Sequence, residues 1–168
     1  AFYSQWFFKR LEAGYVLVRN PFDPSAVTRY TLSPDVVDLI GFCTKNPAPM
    51  LPRLDEVKAY GQLWFVTITP YCTDIEPNVP HKEQVLDNFL QLSAALGPHR
   101  VAWRYDPILL NETYTVQRHL LDFSRMAERL SGATDTCIIS FIDLYEKVKR
   151  NFPEARPVGQ QERILLGR

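Results

Sequence analysis

The sequence predicts an α/β domain of alternating βα units with parallel strands, arranged as an incomplete (β/α) TIM-like barrel. Apolar runs of strand length alternate with amphipathic stretches of helix length, which is the pattern of parallel βαβ units. The apolar runs are continuous, as in strands that are buried on both faces. The 168 residues fall short of the roughly 200 that a closed eight-stranded barrel needs. An open doubly wound sheet is the structural alternative.

The first 61 residues contain two predicted strands and two predicted helices. Aromatic residues at helical spacing predict a helix over 2–13, and the apolar run that follows predicts a strand over 15–22. A second apolar run predicts a strand over 36–47, and a helix over 50–61 ends at Gly61. The chain therefore opens with an α-β-β-α order before the units become regular.

Regular alternation follows from residue 62 onward. Apolar residues recur at helical spacing after residue 81, and Gly97 followed by Pro98 ends that helix. No glycine-rich phosphate loop follows any predicted strand, which disfavours a dinucleotide-binding domain. The predicted elements are a strand over 62–70, a helix over 81–97, a strand over 100–108, a helix over 115–130, a strand over 136–143 and a helix over 144–152.

Domain organisation follows from the same periodicity. We expect one α/β domain over 1–152 and a mobile tail over 153–168, where the periodicity is weak. The chain starts with Ala1 instead of Met, so we expect that it begins partway through a longer protein.

Composition excludes several classes of function. There are 19 basic and 19 acidic residues, so no general attraction to nucleic acid or to an anionic membrane is expected. No apolar stretch approaches the roughly 18 residues of a membrane span. Cys43, Cys72 and Cys137 are far apart in the sequence, which predicts no metal site and no disulfide framework. Reduced thiols in a cytoplasmic protein are the expected state.

Polar residues follow five apolar runs in succession. Parallel strands end at one shared rim, and this carboxyl-end rim is where α/β proteins bind ligands. Arginine and lysine there suit a small polar or anionic molecule, and aspartate supplies a base or a cation partner. Two further candidates come from the loop 74–80, which is longer than a strand–helix connection requires. The candidate ligand-binding residues are Arg19, Asn20, Lys45, Asn46, Thr69, Glu76, Asn78, Arg104, Asp106, Ser140 and Asp143.

Each candidate also has a purely structural interpretation. Strand ends are generally polar, so Arg104 and Asp106 can form a simple bridge, and Asn78 can cap a turn or a helix. His119 lies beside an apolar helical stripe and is interpreted as a packing residue. The tryptophans, Trp6, Trp64 and Trp103, are interpreted as core or packing residues.

Five strings carry a resemblance to a known family. They are YVLVRNPF, TKNPAPMLPRLDE, TPY followed by DIEPNVP, WRYDPILLN and SFIDLY, in this order from residue 1 to about 150. Together they resemble the bacterial family called domain of unknown function 1848. The resemblance implies a barrel-like fold related to radical S-adenosylmethionine (SAM) enzymes.

The resemblance also implies a [4Fe–4S] cluster and SAM as cofactors of an intact parent protein. The cysteine cluster of such relatives is not present in this chain, and no cofactor is expected to bind to the chain alone. Cys43 and Cys72 stand where the relatives have Trp and Gly, so neither inherits a role in the cluster. The resemblance assigns no catalytic residue to any position of this chain.

Three functional hypotheses follow. The first is a fragment of a radical SAM-related barrel protein of unknown reaction, in which Lys45, Arg104 and Asp106 bind polar ends of SAM or substrate. The second is a non-catalytic α/β domain that binds a small ligand or a partner. The third is nucleic-acid modification or repair, which the neutral charge makes the least favoured. The sequence leaves open whether the chain belongs to an enzyme and what its oligomeric state is.

Overall fold

The structure, a computed structural model, describes residues 2–167. The helices are α1 (Ser4–Ala13), α2 (Lys82–Leu96), α3 (Val116–Arg129), α4 (Glu146–Asn151) and α5 (Gln160–Leu166). The strands are β1 (Tyr15–Arg19), β2 (Val27–Thr31), β3 (Leu39–Thr44), β4 (Gly61–Thr67), β5 (Val101–Ile108) and β6 (Cys137–Phe141). Short 3₁₀ helices lie at Leu51–Val57 and Pro98–Arg100. No helix within 2–167 is long and apolar enough to cross a membrane.

A four-stranded parallel sheet organises the chain in the order β3-β4-β5-β6. Helices α2 and α3 connect β4 to β5 and β5 to β6, which confirms the predicted alternation of βα units. The amino end of β4 begins at Gly61, whose N–H donates to Asp38 O at 2.9 Å. A Cβ atom on Gly61 would lie 2.6 Å from the same oxygen, so only glycine fits this approach.

The main hydrophobic core lies on one face of this sheet. Phe42 stacks on Trp64 with ring centroids 4.1 Å apart, and Phe7 of α1 packs edge-on against Phe42. On the next strand, Trp103 stacks on Phe123 of α3 at 4.8 Å. The apolar residues of α2 join the same cluster. Helices α1, α2 and α3 therefore cover the same face of the sheet.

The second face of the sheet is only partly covered. Side chains of a strand alternate between faces, so Leu63 and Phe65 point away from Trp64. Both are half-buried, and among the described residues neither belongs to the hydrophobic core cluster. Cys43 on the edge strand β3 is exposed on this face. We call this surface the open face.

The first predicted strand does not join the parallel sheet. Residues 15–19 pair antiparallel with β2 in a separate two-stranded hairpin, and β2 was missing from the sequence prediction. Between the two strands, the side chains of Asn20 and Asp23 accept backbone N–H groups two residues further on. Such Asx turns reverse the chain within a few residues, so the next strand can pair directly with β1.

The helix predicted over 50–61 is a kinked 3₁₀ segment, Leu51–Val57. Pro52 lies at its start and Arg53 departs from helical geometry, with φ −122°. Proline is tolerated in the first turn of a helix, because its missing N–H would have no partner there. The departure from α-helix geometry therefore lies at Arg53 and not at the proline.

The segment 153–168 was expected to be mobile. Within its described part, Val158 is buried, α5 covers Gln160–Leu166, and Arg156 N donates to Leu110 O at 2.9 Å. Leu166 packs against the main core. Apolar periodicity in this segment is weak because the short helix α5 contacts the core through only a few side chains.

Candidate ligand-binding site

A buried carboxylate organises the first part of the rim. Glu76 is 10% exposed and accepts from Lys45 Nζ at 2.7 Å and from Lys82 Nζ at 2.8 Å. Thr69 Oγ1 donates to Glu76 at 2.7 Å. Lys45 follows β3, Thr69 follows β4, and Lys82 begins α2. We call these four residues the Glu76 cluster.

The partners of Glu76 determine its pKa and hence its charge. Burial raises the pKa of Glu76, but the hydrogen bonds from Lys45, Lys82 and Thr69 outweigh this and lower the pKa below its usual value. Glu76 is therefore ionised at neutral pH. One carboxylate held between two ammonium groups leaves these residues with an excess of positive charge.

A second polar group lies on the neighbouring strands. Asp106 accepts from the Arg104 guanidinium and from the Ser140 hydroxyl. Arg104 and Asp106 lie on β5 and Ser140 lies on β6. Arg104 keeps 34% of its side chain exposed. We call these three residues the Asp106 cluster.

Strand register places the two clusters side by side. Thr67 of β4 pairs with Arg104 of β5, and Ile68 N donates to Arg104 O at 3.0 Å. The ladder thus continues past β4, and Thr69 lies level with Asp106. Alternation along each strand puts the cluster residues of the strands and strand ends on the open face, namely Lys45, Thr69, Arg104, Asp106 and Ser140. The side chains that converge at the carboxyl-end rim therefore come from the residues just after β3 and β4 and from β5 and β6 themselves.

Two cavities border the Glu76 cluster. A cavity of about 520 Å³ is lined by Lys45, Asn46 and Asn78, together with residues of α1. A smaller cavity of about 280 Å³ is lined by Glu76 and Lys82 on the other side. Both have the size of small-molecule pockets. The loop candidates therefore lie at the site, although Asn46 Oδ1 also accepts from Ala48 N at 3.1 Å.

Three candidates lie outside these contacts. Arg19 ends β1 and Asn20 begins the hairpin turn, so their predicted place at the rim is wrong. They belong to the separate hairpin, because the sheet they were assigned to begins only at β3. Asp143 is exposed beyond the end of β6.

The sequence missed the residues that tie the site together. Lys82 was treated as part of an ordinary helix start, and Tyr71 and Tyr114 were not singled out. The hydroxyl groups of Tyr71 and Tyr114 bond to residues 36 to 42 positions away along the chain, which no local pattern reveals. A lysine at a helix start is the only local indication, because acidic residues are usually favoured there.

His119 is a buried packing residue, as interpreted from the sequence. Its Nε2 donates to Leu109 O at 2.9 Å, so Nδ1 accepts from the Tyr105 hydroxyl at 2.8 Å. Burial lowers the pKa of His119, and this outweighs the opposing effects of the Leu109 carbonyl and of Asp122. His119 is therefore neutral at pH 7.

Because burial lowers the pKa of His119, we expect the free energy of unfolding to fall in mild acid. The unfolded chain binds a proton at His119 near pH 6.5, whereas the folded chain binds it only at lower pH. The stability due to neutral His119 is therefore present above pH 6.5 and declines below it. Glu76, whose folded pKa is also lowered, adds a further loss below about pH 4.5.

Urea unfolding at pH 7.5, 6.5 and 5.5 measures this effect. We expect the free energy of unfolding to fall over this range in the wild type and to fall less in His119→Gln. His81→Gln, at an exposed histidine, is the control and should keep the wild-type slope. Equal slopes in the wild type and His119→Gln would contradict the assignment.

The cysteines do not form a metal centre among the described residues. Cys43 lies on β3, Cys72 follows β4, Cys137 begins β6, and all three are free. No group of three His, Cys, Asp or Glu side chains within 2–167 is placed to hold a metal ion. An iron–sulfur cluster is held by several cysteine thiolates together, so these residues do not fit one.

Comparison with known proteins gives one match. The family model described as "Domain of unknown function (DUF1848)" matches residues 1–168. No curated protein and no solved structure matches the chain. The match covers the strands and loops that carry both polar clusters. The chain therefore belongs to the domain of unknown function 1848 family.

Proposed function

We propose that the chain forms part of the wall of a (β/α) barrel and binds a small polar or anionic molecule at the carboxyl-end rim of its open face. Helices α1, α2 and α3 cover only one face of the sheet. A barrel has its helices on the outside and its ligand site at the carboxyl ends of the strands. A doubly wound sheet would have helices on both faces.

The single observation that carries the ligand assignment is the charge at the rim. In the Glu76 and Asp106 clusters three cations face two carboxylates, which leaves one positive charge in excess. Lys45 is 39% exposed and its ammonium has donors beyond the bond to Glu76. Arg104 has a fork of five N–H donors, of which only part is used by Asp106.

Each residue then has a defined role. Glu76 and Asp106 hold the cations in position, and Lys45 and Arg104 donate to a carboxylate or phosphate of the ligand. Ser140 fixes Asp106 from the next strand. Because the side chains are held before the ligand arrives, less conformational entropy is lost on binding.

The relation to radical SAM enzymes is part of this proposal, with SAM as the ligand class to be tested first. SAM carries a carboxylate that matches Lys45 and Arg104. The iron–sulfur cluster does not fit the described residues, so no chemical step is assigned to it. Three free, exposed cysteines are compatible with a reducing, cytoplasmic compartment.

The test compares Arg104, within β5, with Arg100, just before the start of the same strand. Arg104→Ala removes the rim guanidinium, and Arg100→Ala removes an exposed guanidinium just before the amino end of β5. Calorimetric titration with SAM and, separately, with inorganic phosphate measures affinity. We expect at least one probe to bind the wild type and Arg100→Ala equally, and to bind Arg104→Ala about tenfold or more weakly.

Two results would overturn the assignment. The first is that the wild type binds neither probe at millimolar concentration. The second is that Arg104→Ala unfolds part of the protein while the folded fraction retains full affinity. In that case Arg104 and Asp106 form a structural bridge only.

A further inference from the structure

The loop of the Glu76 cluster and the strand end of the Asp106 cluster are joined by a buried group of aromatic side chains. This tyrosine–histidine cluster consists of Tyr71, Tyr105, Tyr114 and His119, all of which are buried. The ring centroids of Tyr71 and Tyr114 are 4.9 Å apart, and that of His119 lies 5.9 Å from Tyr71. None of the four points to solvent, so their hydroxyl and imidazole groups serve internal contacts.

Tyr71 makes the most direct connection. Its hydroxyl donates to Pro107 O at 2.7 Å and accepts from Leu109 N at 2.6 Å. Pro107 follows Asp106 in the chain, and Tyr71 begins the loop that carries Glu76. Both Glu76 and Asp106 contribute, after burial, to a raised pKa of Tyr71, so the hydroxyl stays protonated and can donate.

Tyr114 holds the same loop from the other side. Its hydroxyl accepts from Cys72 N at 2.9 Å and donates to Asp74 Oδ1 at 2.8 Å. Its own backbone N–H donates to Asn111 Oδ1 at 2.7 Å. The loop between β4 and α2 is thus attached to the segment after β5 at two neighbouring points.

His119 fixes the segment after β5. Leu109 donates its N–H to Tyr71 and accepts through its carbonyl from His119. Tyr105, inside β5, donates to His119. One chain of hydrogen bonds therefore runs from β5 through His119 and Leu109 to Tyr71.

From these contacts we infer that Tyr71, Tyr114 and His119 are positioning residues for the proposed ligand site. They fix the place of the Glu76 cluster relative to the Asp106 cluster without touching the ligand themselves. The inference rests on the proposed function for its effect on binding, whereas the coupling between loop and strand end can be measured without any ligand.

The experiment uses Tyr71→Phe, which removes the bridging hydroxyl and keeps the ring. Hydrogen exchange is followed at the amides of Glu76 and Val79, which donate to Cys72 O and Glu76 O and make no bond to Tyr71. We expect exchange there to be about tenfold faster, with the amides in the middle of α3 unchanged. Affinity for the probe that binds the wild type should fall by a similar factor. Tyr145→Phe, at an exposed tyrosine, should change neither.

A pair of histidine variants gives an independent check. Gln at position 119 can still donate to Leu109 O and accept from Tyr105, whereas Leu can do neither. His119→Gln should therefore retain most of the probe affinity that His119→Leu loses in its folded fraction.

The outcomes separate the two proposals. If exchange at Glu76 and Val79 is faster in Tyr71→Phe but the wild type binds neither probe, the positioning role is supported and the ligand assignment is overturned. Unchanged affinity in Tyr71→Phe, or exchange that rises equally in α3, overturns the positioning role and leaves the ligand assignment intact.

Discussion

Replacing Glu76 with glutamine is expected to lower the free energy of unfolding by about 2–4 kcal/mol. The carboxylate is 10% exposed and accepts from Lys45, Lys82 and Thr69. A neutral amide leaves two neighbouring ammonium groups without a counter-charge, and it turns one acceptor oxygen into a donor. The repulsion and the lost hydrogen bonds act together. Urea unfolding at pH 7 measures the effect.

A surface carboxylate provides the matched control. Glu56 pairs with Arg53 at 2.5 Å, and about half of its side chain is exposed. Ion pairs at an exposed surface contribute little to stability, so Glu56→Gln should change the free energy of unfolding far less than Glu76→Gln does. Equal effects of the two substitutions would show that the Glu76 cluster has no special place in the fold.

Trp103→Ala is expected to cost about 3–5 kcal/mol. Trp103 is 2% exposed, stacks on Phe123 at 4.8 Å and donates from its indole N–H to Ile68 O at 3.0 Å. Truncation leaves a large cavity between β5 and α3, and it leaves a buried carbonyl without that donor. Both effects destabilise the folded state. Thermal and urea unfolding measure the loss.

Trp6→Ala is the control with the same change in side-chain size. Trp6 is 54% exposed on α1, so it lies outside the buried core. Its removal should cost less than about 1 kcal/mol. If Trp103→Ala were as mild as Trp6→Ala, the stacked core beneath the Asp106 cluster would not be a main source of stability.

The elements from residue 62 onward were well predicted, because each has a strong local pattern. Helix α2 ends at Gly97 and Pro98 as expected, and the runs around Trp64 and Trp103 are buried strands. The first sixty residues were predicted less well. There, turn-forming Asn20 and Asp23 set the pairing of β1, and a kink at Arg53 leaves a 3₁₀ segment where an α-helix was predicted.

The candidate site was predicted in part for the same reason. Lys45, Arg104 and Asp106 were predicted because they lie in or just after strands that have a clear apolar pattern. Lys82 bonds to Glu76 only six positions away, but its sequence context does not show this contact. The tyrosine–histidine cluster comes from segments that meet only in the folded chain. Its hydrogen bonds join residues up to 42 positions apart, so its function depends on the packing of loops against strand ends.

The sequence by itself determined the parallel βα units and the carboxyl-end rim, because apolar runs, helical periodicity and turn residues are local properties of the chain. Only the tertiary structure decided which candidates share that rim. In the folded chain Arg19 and Asn20 belong to a separate hairpin, and Lys45 and Lys82 both pair with Glu76. One face of the parallel sheet is only partly covered. These are outcomes of long-range pairing and packing, in which a side chain's partner depends on the register of strands distant in sequence.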